Sequence, residues 1–126
     1  MSNQPLHNQM VWLFFGFSGR ISRAAYLLAG LLMMVIVVFI TYRLMLAEQV
    51  GAPAPFWEVA LSIFLVASLW AQAALGAKRL HDLGRPGMFA ALLFVPLFNF
   101  IAFVGLCILP GEQGPNRYGQ VTNRPS

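Results

Sequence analysis

GMFAALLFVPLFNFIAFVGLCIL, residues 87–109, is 23 residues long and carries no charge. As an α-helix it would be about 35 Å long, enough to cross a hydrocarbon core of about 30 Å. Near its middle, however, stand Pro96 and Asn99. A proline fits a kink in a helix that still crosses. It also fits a hairpin that turns back near Val95-Pro-Leu-Phe-Asn99, although a turn at that depth frees backbone groups that lipid cannot satisfy. The two paths put the C-terminal tail on opposite sides of a bilayer, so this stretch decides the fold.

Two more stretches are unambiguous. Ala24 to Tyr42 and Val59 to Ala77 are each 19 residues without a charge. The expected fold is therefore an all-α membrane protein of one domain, residues 1–126. It has a short N-terminal interfacial helix within 10–23 and three membrane helices near 24–45, 58–80 and 87–109. The third is kinked or re-entrant near Pro96 to Asn99, and a polar tail runs over 110–126. Residues 1–8 and 120–126 are expected to be loosely held. The segment Met10 to Phe17 is too short to span, and Trp12, Phe14, Phe15 and Phe17 suit head-group depth. It lacks the basic start of a cleaved signal peptide, so the first long span is expected to act as an uncleaved insertion signal.

Composition agrees. The chain is 59% hydrophobic and 10% charged, against about 25% charged in soluble domains. The net charge of +4 could suggest nucleic acid in a soluble protein. Here the arginines crowd at the ends of apolar runs, where they meet anionic head groups, so no nucleic-acid partner is expected. The single cysteine, Cys107, reads as a small buried hydrophobe. No CxxC, HExxH, GxSxG or phosphate loop is present, and no cofactor or metal is expected.

Basic residues favour the cytoplasmic side. With three crossings and the N-terminus inside, Arg20, Arg23, Lys78, Arg79 and Arg85 lie inside and Arg43, Arg117 and Arg124 outside. With a hairpin, only Arg43 is outside. Both counts put the N-terminus in the cytoplasm, and the hairpin obeys the rule better.

Three polar blocks punctuate the apolar runs: Phe17-Ser-Gly-Arg-Ile-Ser-Arg-Ala-Ala-Tyr26, Lys78-Arg-Leu-His-Asp-Leu-Gly-Arg-Pro-Gly87, and Pro110-Gly-Glu-Gln-Gly-Pro-Asn-Arg-Tyr-Gly119. In the first, Ser22 can cap the helix that follows. In the second, Lys78 and Arg79 suit the C-terminal end of the second span, and Gly84 suits a left-handed cap. Asp82 is expected to be the electrostatic centre, paired with Arg20, Arg23 or Arg79. His81 beside Asp82 is the one place resembling catalytic chemistry, but neighbouring positions on a helix point in different directions. The third block is turn chemistry. Only the hairpin path lets all three blocks meet.

Together the blocks resemble the domain of unknown function 805 family, small bacterial inner-membrane proteins. The matching residues are Phe17, Gly19, Arg20, Arg23, Arg79, His81, Asp82, Gly84, Gly87, Gly114, Pro115, Asn116, Tyr118 and Gly119. Where the family has an S-G-W stretch, this chain reads Pro86-Gly87-Met88. The resemblance implies a helical fold in a bacterial inner membrane and carries no known activity.

The reading is a non-enzymatic membrane protein acting through anionic lipid or protein contacts at a basic cytoplasmic face. The candidate site comprises Arg20, Arg23, Arg79, His81, Asp82, Asn116 and Tyr118. Arg20, Arg23 and Arg79 are expected to hold phosphates, oriented by Asp82. The alternative is a small transporter or channel subunit, self-associating along the second span. An enzyme using His81 and Asp82 is the more remote alternative. Ser68, Gln72 and Gly76 form a polar stripe expected to face protein, and Asn99 is expected to find a protein partner, with Ser68 nearest in depth.

Overall fold

A computed structural model describes residues 5–125. Four α-helices and one 3-10 helix make up the regular structure, with no strand among the described residues. In order they are α1 (Leu6–Phe15), α2 (Arg23–Gln49), α3 (Pro55–Asp82), the 3-10 limb (Gly87–Phe94) and α4 (Phe98–Ile108). The chain is all-α, as expected.

Helices α2 and α3 are long and apolar enough to cross a membrane. At 27 and 28 residues each is about 40 Å long. Ser22 starts α2 by accepting a hydrogen bond from the Ala25 N–H. Pro55 stands in the first turn of α3, where its missing N–H costs nothing. Between them Arg43 lies over the Trp57 ring at 5.0 Å and Phe39 meets that ring edge-on.

The third apolar stretch is not one helix, and this corrects the 87–109 span. The 3-10 limb runs back along α3, with Leu93 and Ala90 against Gly76 and Gly87 against Ala77. The chain then turns at Val95 to Leu97 and returns as α4. Pro96 has no N–H to continue a helix, and Leu97 adopts φ 73°, a conformation that ends one. The 3-10 limb of 8 residues and α4 of 11 residues are each about 16 Å long at 2.0 and 1.5 Å per residue. Each limb therefore reaches about halfway through a bilayer core of about 30 Å. Both ends of the stretch lie beside the C-terminus of α3, which makes it a hairpin.

Two further boundaries shift. The N-terminal helix begins at Leu6 because Pro5 O accepts from Asn8 N and Gln9 N, and it stops before Gly16. Residues 16–22, included in the expected 10–23 segment, are not helical. The helix packs against α3, where Trp70 Nε1 donates to Phe15 O at 2.9 Å and Phe17 meets Trp70 edge-on at 5.2 Å. The tail over 120–125 is held, against expectation: Asn123 N donates to Arg20 O at 2.7 Å, and Ser22 N donates to Asn123 Oδ1 at 2.9 Å. Leu6 to Asn8, also expected to be loose, open α1; the expectation for residues 1–4 and 126 falls outside the described residues.

The core sits at the end where the helices converge. Ile21, Tyr26, Leu75, Ala77, Leu93 and Leu106 are buried there. Small residues on α3 let the limbs approach closely.

Candidate functional site

The residues that pack at this end include charged ones. Arg20, Lys78, Arg79 and Asp82 are all buried, Lys78 and Arg79 with 0% exposure. Burying three cations beside one carboxylate is costly unless each cation is matched. The matching comes largely from backbone carbonyls at helix ends.

Arg79 projects from the last turns of α3. Its Nε donates to Leu106 O at 2.8 Å and its terminal nitrogens reach Leu109 O and Ile21 O. Leu106 and Leu109 belong to the end of α4, where carbonyls lack helical partners and the helix dipole is negative. Arg23 adds a bond from its guanidinium to Ile108 O at 3.0 Å. Lys78 does the same for α1: its Nζ donates to Trp12 O and Leu13 O and lies over the Trp12 ring at 4.6 Å. Lys78 and Arg79 therefore secure the ends of two neighbouring helices. The expected role, complementing the end of their own helix, is the smaller part of what they do.

Asp82 is the hub. Its Oδ1 accepts from Arg20 Nε at 3.0 Å and its Oδ2 from Arg79 at 2.7 Å. Thr122 Oγ1 also donates to Oδ1. The Asp82 backbone carbonyl accepts from Glu112 N at 2.6 Å. The expectation that Asp82 pairs with arginines holds for Arg20 and Arg79; Arg23 turns to Ile108 instead.

Arg20 ties in the tail. Beyond Asp82, its guanidinium donates to Glu112 O at 2.6 Å, Gly114 O at 2.7 Å and Gly119 O at 3.3 Å. Gly111 passes so close to Asp82 that a Cβ there would collide with the carboxylate. Gly84 takes φ 76°, the left-handed cap expected after α3, and brings the chain round to Pro86.

His81 and Tyr118 stack face to face, with ring centroids 4.2 Å apart and planes 4° apart. His81 Nδ1 lies 2.9 Å from Gly19 O. Asn116 Nδ2 donates to His81 O at 2.9 Å, and Asn116 Oδ1 accepts from Tyr118 N at 2.9 Å. Arg117 covers the outer face of Tyr118 at 4.8 Å.

All seven predicted site residues thus meet at one end of the molecule, contributed by the three polar blocks. Their division of labour differs from the expectation. Arg20 and Arg79 direct their donors into the protein and are shut off from solvent, so they are not placed to hold a phosphate. Arg23 remains exposed. His81 and Asp82 face different partners and form no dyad. Thr122, Asn123, Glu112 and Gly111 complete the site and carried no motif signal of their own. Thr122 and Asn123 follow the third block, in a stretch whose polar residues resemble any tail.

Seven of the eight basic residues are carried by segments that converge at this end; Arg43 is at the other, near the start of α3. Arg23, Arg85, Arg117 and Arg124 are exposed around the buried charges.

Deeper in the helices, the polar stripe divides. Gly76 is buried under the hairpin, whereas Ser68 and Gln72 line a cavity shared with Asn99. Asn99 is exposed and, among the described residues, its side-chain amide has no protein partner. Ser68 Oγ donates to Leu65 O at 2.8 Å and not to Asn99, so the expected pairing does not form.

A family model described as "Protein of unknown function (DUF805)" matches residues 14–120. The chain is 31% identical over 104 residues to "Inner membrane protein YhaI" of Escherichia coli strain K12, covering 82% of this chain and 83% of that protein. The O157:H7 counterpart matches to the same extent. No solved structure matches.

Proposed function

We propose that this chain, which belongs to the DUF805 family, is a bacterial inner-membrane protein that works through its cytoplasmic face by contact with anionic lipid head groups. Helices α2 and α3 cross the membrane, the hairpin re-enters it, and both termini are cytoplasmic. The supporting observation is the charge distribution: seven basic residues at one end and Arg43 at the other. That asymmetry is the strongest orientation signal a membrane protein carries.

The phosphate-binding groups in this reading are the exposed arginines, Arg23, Arg85, Arg117 and Arg124. Guanidinium groups pair well with phosphate oxygens, and a cluster near the surface adds about 1 kcal/mol per basic residue on an anionic leaflet. Arg20, Arg79 and Asp82 keep the platform folded and do not touch lipid. The reading is non-enzymatic. His81 Nδ1 is engaged by Gly19 O, its ring is stacked under Tyr118, and Asp82 is held by two arginines. These contacts support a structural role for both side chains.

The test is thermal stability in nanodiscs of phosphatidylcholine alone against a mixture with phosphatidylglycerol. The expected result is a higher Tm in the anionic discs, weakened by salt. The gain should be lost in R85Q/R117Q/R124Q, which leaves the Arg23 bond to Ile108 intact. Equal Tm in both lipids would refute the reading.

A further inference from the structure

Between α2, α3 and the hairpin lies a cavity of about 420 Å³, within the range of about 300–1,000 Å³ typical of small-ligand sites. Met33, Phe64 and Phe103 form apolar walls, and Ser68, Gln72 and Asn99 supply polar groups. No charged residue lines it. Met34 and Phe100 also line it and are 58% and 74% exposed, so it opens sideways, toward where lipid would lie.

Its depth makes the polar lining significant. Gln72 stands ten residues before Asp82 on α3, and Asn99 nine before Ile108 on α4. At 1.5 Å per residue both are roughly 14 or 15 Å in from the basic end, near the middle of the hydrocarbon. Among the described residues neither side-chain amide has a hydrogen-bond partner. Ser68 gives its proton to Leu65 O and keeps its oxygen free to accept. Asn99 also sits in the first turn of α4, where its own N–H is already given to Val95 O at 2.9 Å, leaving the side-chain amide as its open donor. Two unpaired carboxamides in hydrocarbon are costly, and an acyl chain cannot satisfy them.

We propose that this cavity binds an uncharged amphiphile drawn from the bilayer. Its apolar body would lie among Met33, Phe64 and Phe103, surfaces that adapt to shape. Its carbonyl or hydroxyl oxygen would be bonded by Gln72 and Asn99. A charged head group is disfavoured because nothing in the lining could neutralise it. A second copy of the chain is disfavoured because the site is a concave pocket of single-molecule size, not an open face. The polar contacts proposed here, Gln72 and Asn99, involve none of the exposed arginines, so the proposal stands or falls independently of the anionic-lipid reading.

The test uses 1-decanol carrying a mid-chain diazirine, photolysed with the wild-type protein in phosphatidylcholine nanodiscs and located by peptide mass spectrometry. Label should concentrate on the peptides holding Met33, Phe64 and Phe103. Excess 1-decanol or 2-decanone should compete several-fold better than decane. Q72L/N99L should lower labelling several-fold without lowering Tm. Labelling spread evenly onto lipid-facing Val35 and Val38 would overturn the proposal, as would equal competition by decane, which needs no variant to fold. High-yield F100C disulfide cross-linking between two copies, with the cavity unlabelled, would also overturn it and make the site an interface.

Discussion

Val59 to Ala77 and Gly87 to Leu109 are both long, uncharged and rich in Leu and Ala, yet one forms the middle of a single helix and the other doubles back. The longer stretch is the one that turns. Hydropathy therefore measures how much apolar chain there is, not whether it runs as one helix. What separates the two is how their ends are held. Helix α3 runs from Pro55 at one end to the Asp82 hub at the other. The hairpin begins and ends at that same hub: Gly87 lies against Ala77, and Leu106 and Leu109 are bound by Arg79. Pro96 and Leu97 permit the turn; the buried arginines at its base hold the return.

If that contrast is right, the largest effect comes from breaking the base. Asp82→Asn leaves Arg20 and Arg79 without their carboxylate, and loss of one partner in a buried ion pair costs about 3–5 kcal/mol. A fall of many degrees in Tm is expected in detergent, with partial recovery in Arg20→Gln/Asp82→Asn, where one uncompensated cation is gone. An unchanged Tm would mean that the hairpin is held by apolar packing alone.

A smaller effect sharpens the same comparison with one kind of substitution in both stretches. Val66 on α3 and Leu97 at the hairpin tip are both largely exposed, at 70% and 84%. Val66→Gly should destabilise by about 1 kcal/mol, the ordinary penalty of glycine within a helix. Leu97→Gly should stabilise by about 0.5–1 kcal/mol, because a left-handed conformation that costs a side chain about 1–2 kcal/mol costs glycine nothing. Opposite signs in thermal unfolding support a helix in one place and a turn in the other. Loss of stability at both sites would place Leu97 inside a helix.

Much of this was legible from residue types. The two uncharged runs of 19 became α2 and α3 of 27 and 28 residues, each extended by about two turns where its flanks also suit a helix. Ser22 capped α2 and Gly84 closed α3 because their chemistry serves those positions. Asp82 found arginines because it is the one acid within the second block, among Lys78, Arg79 and Arg85. The hairpin was legible as one of two paths: the charge count favoured it, while the cost of freed backbone in lipid argued the other way. The return limb is instead secured at its base, where Arg79 and Arg23 bond the last carbonyls of α4, a relation that local sequence does not display. The inward direction of Arg20 and Arg79 was hidden for the same reason. An arginine at a helix end suits phosphate and carbonyl alike, and only the return of α4 supplies the carbonyls. Thr122 and Asn123 gave no signal, since a tail residue gains meaning only from what it folds against.

The central claim is that the third apolar stretch returns to the side it left. Single cysteines at Asn8, Ala52 and Gln120, in a Cys107→Ala background, test it directly by labelling with a membrane-impermeant maleimide. All three positions are exposed. In intact spheroplasts Ala52→Cys should label, while Asn8→Cys and Gln120→Cys label only in inverted vesicles. Labelling of Gln120→Cys from outside, with Asn8→Cys still protected, would mean that residues 87–109 cross the membrane and would contradict the account.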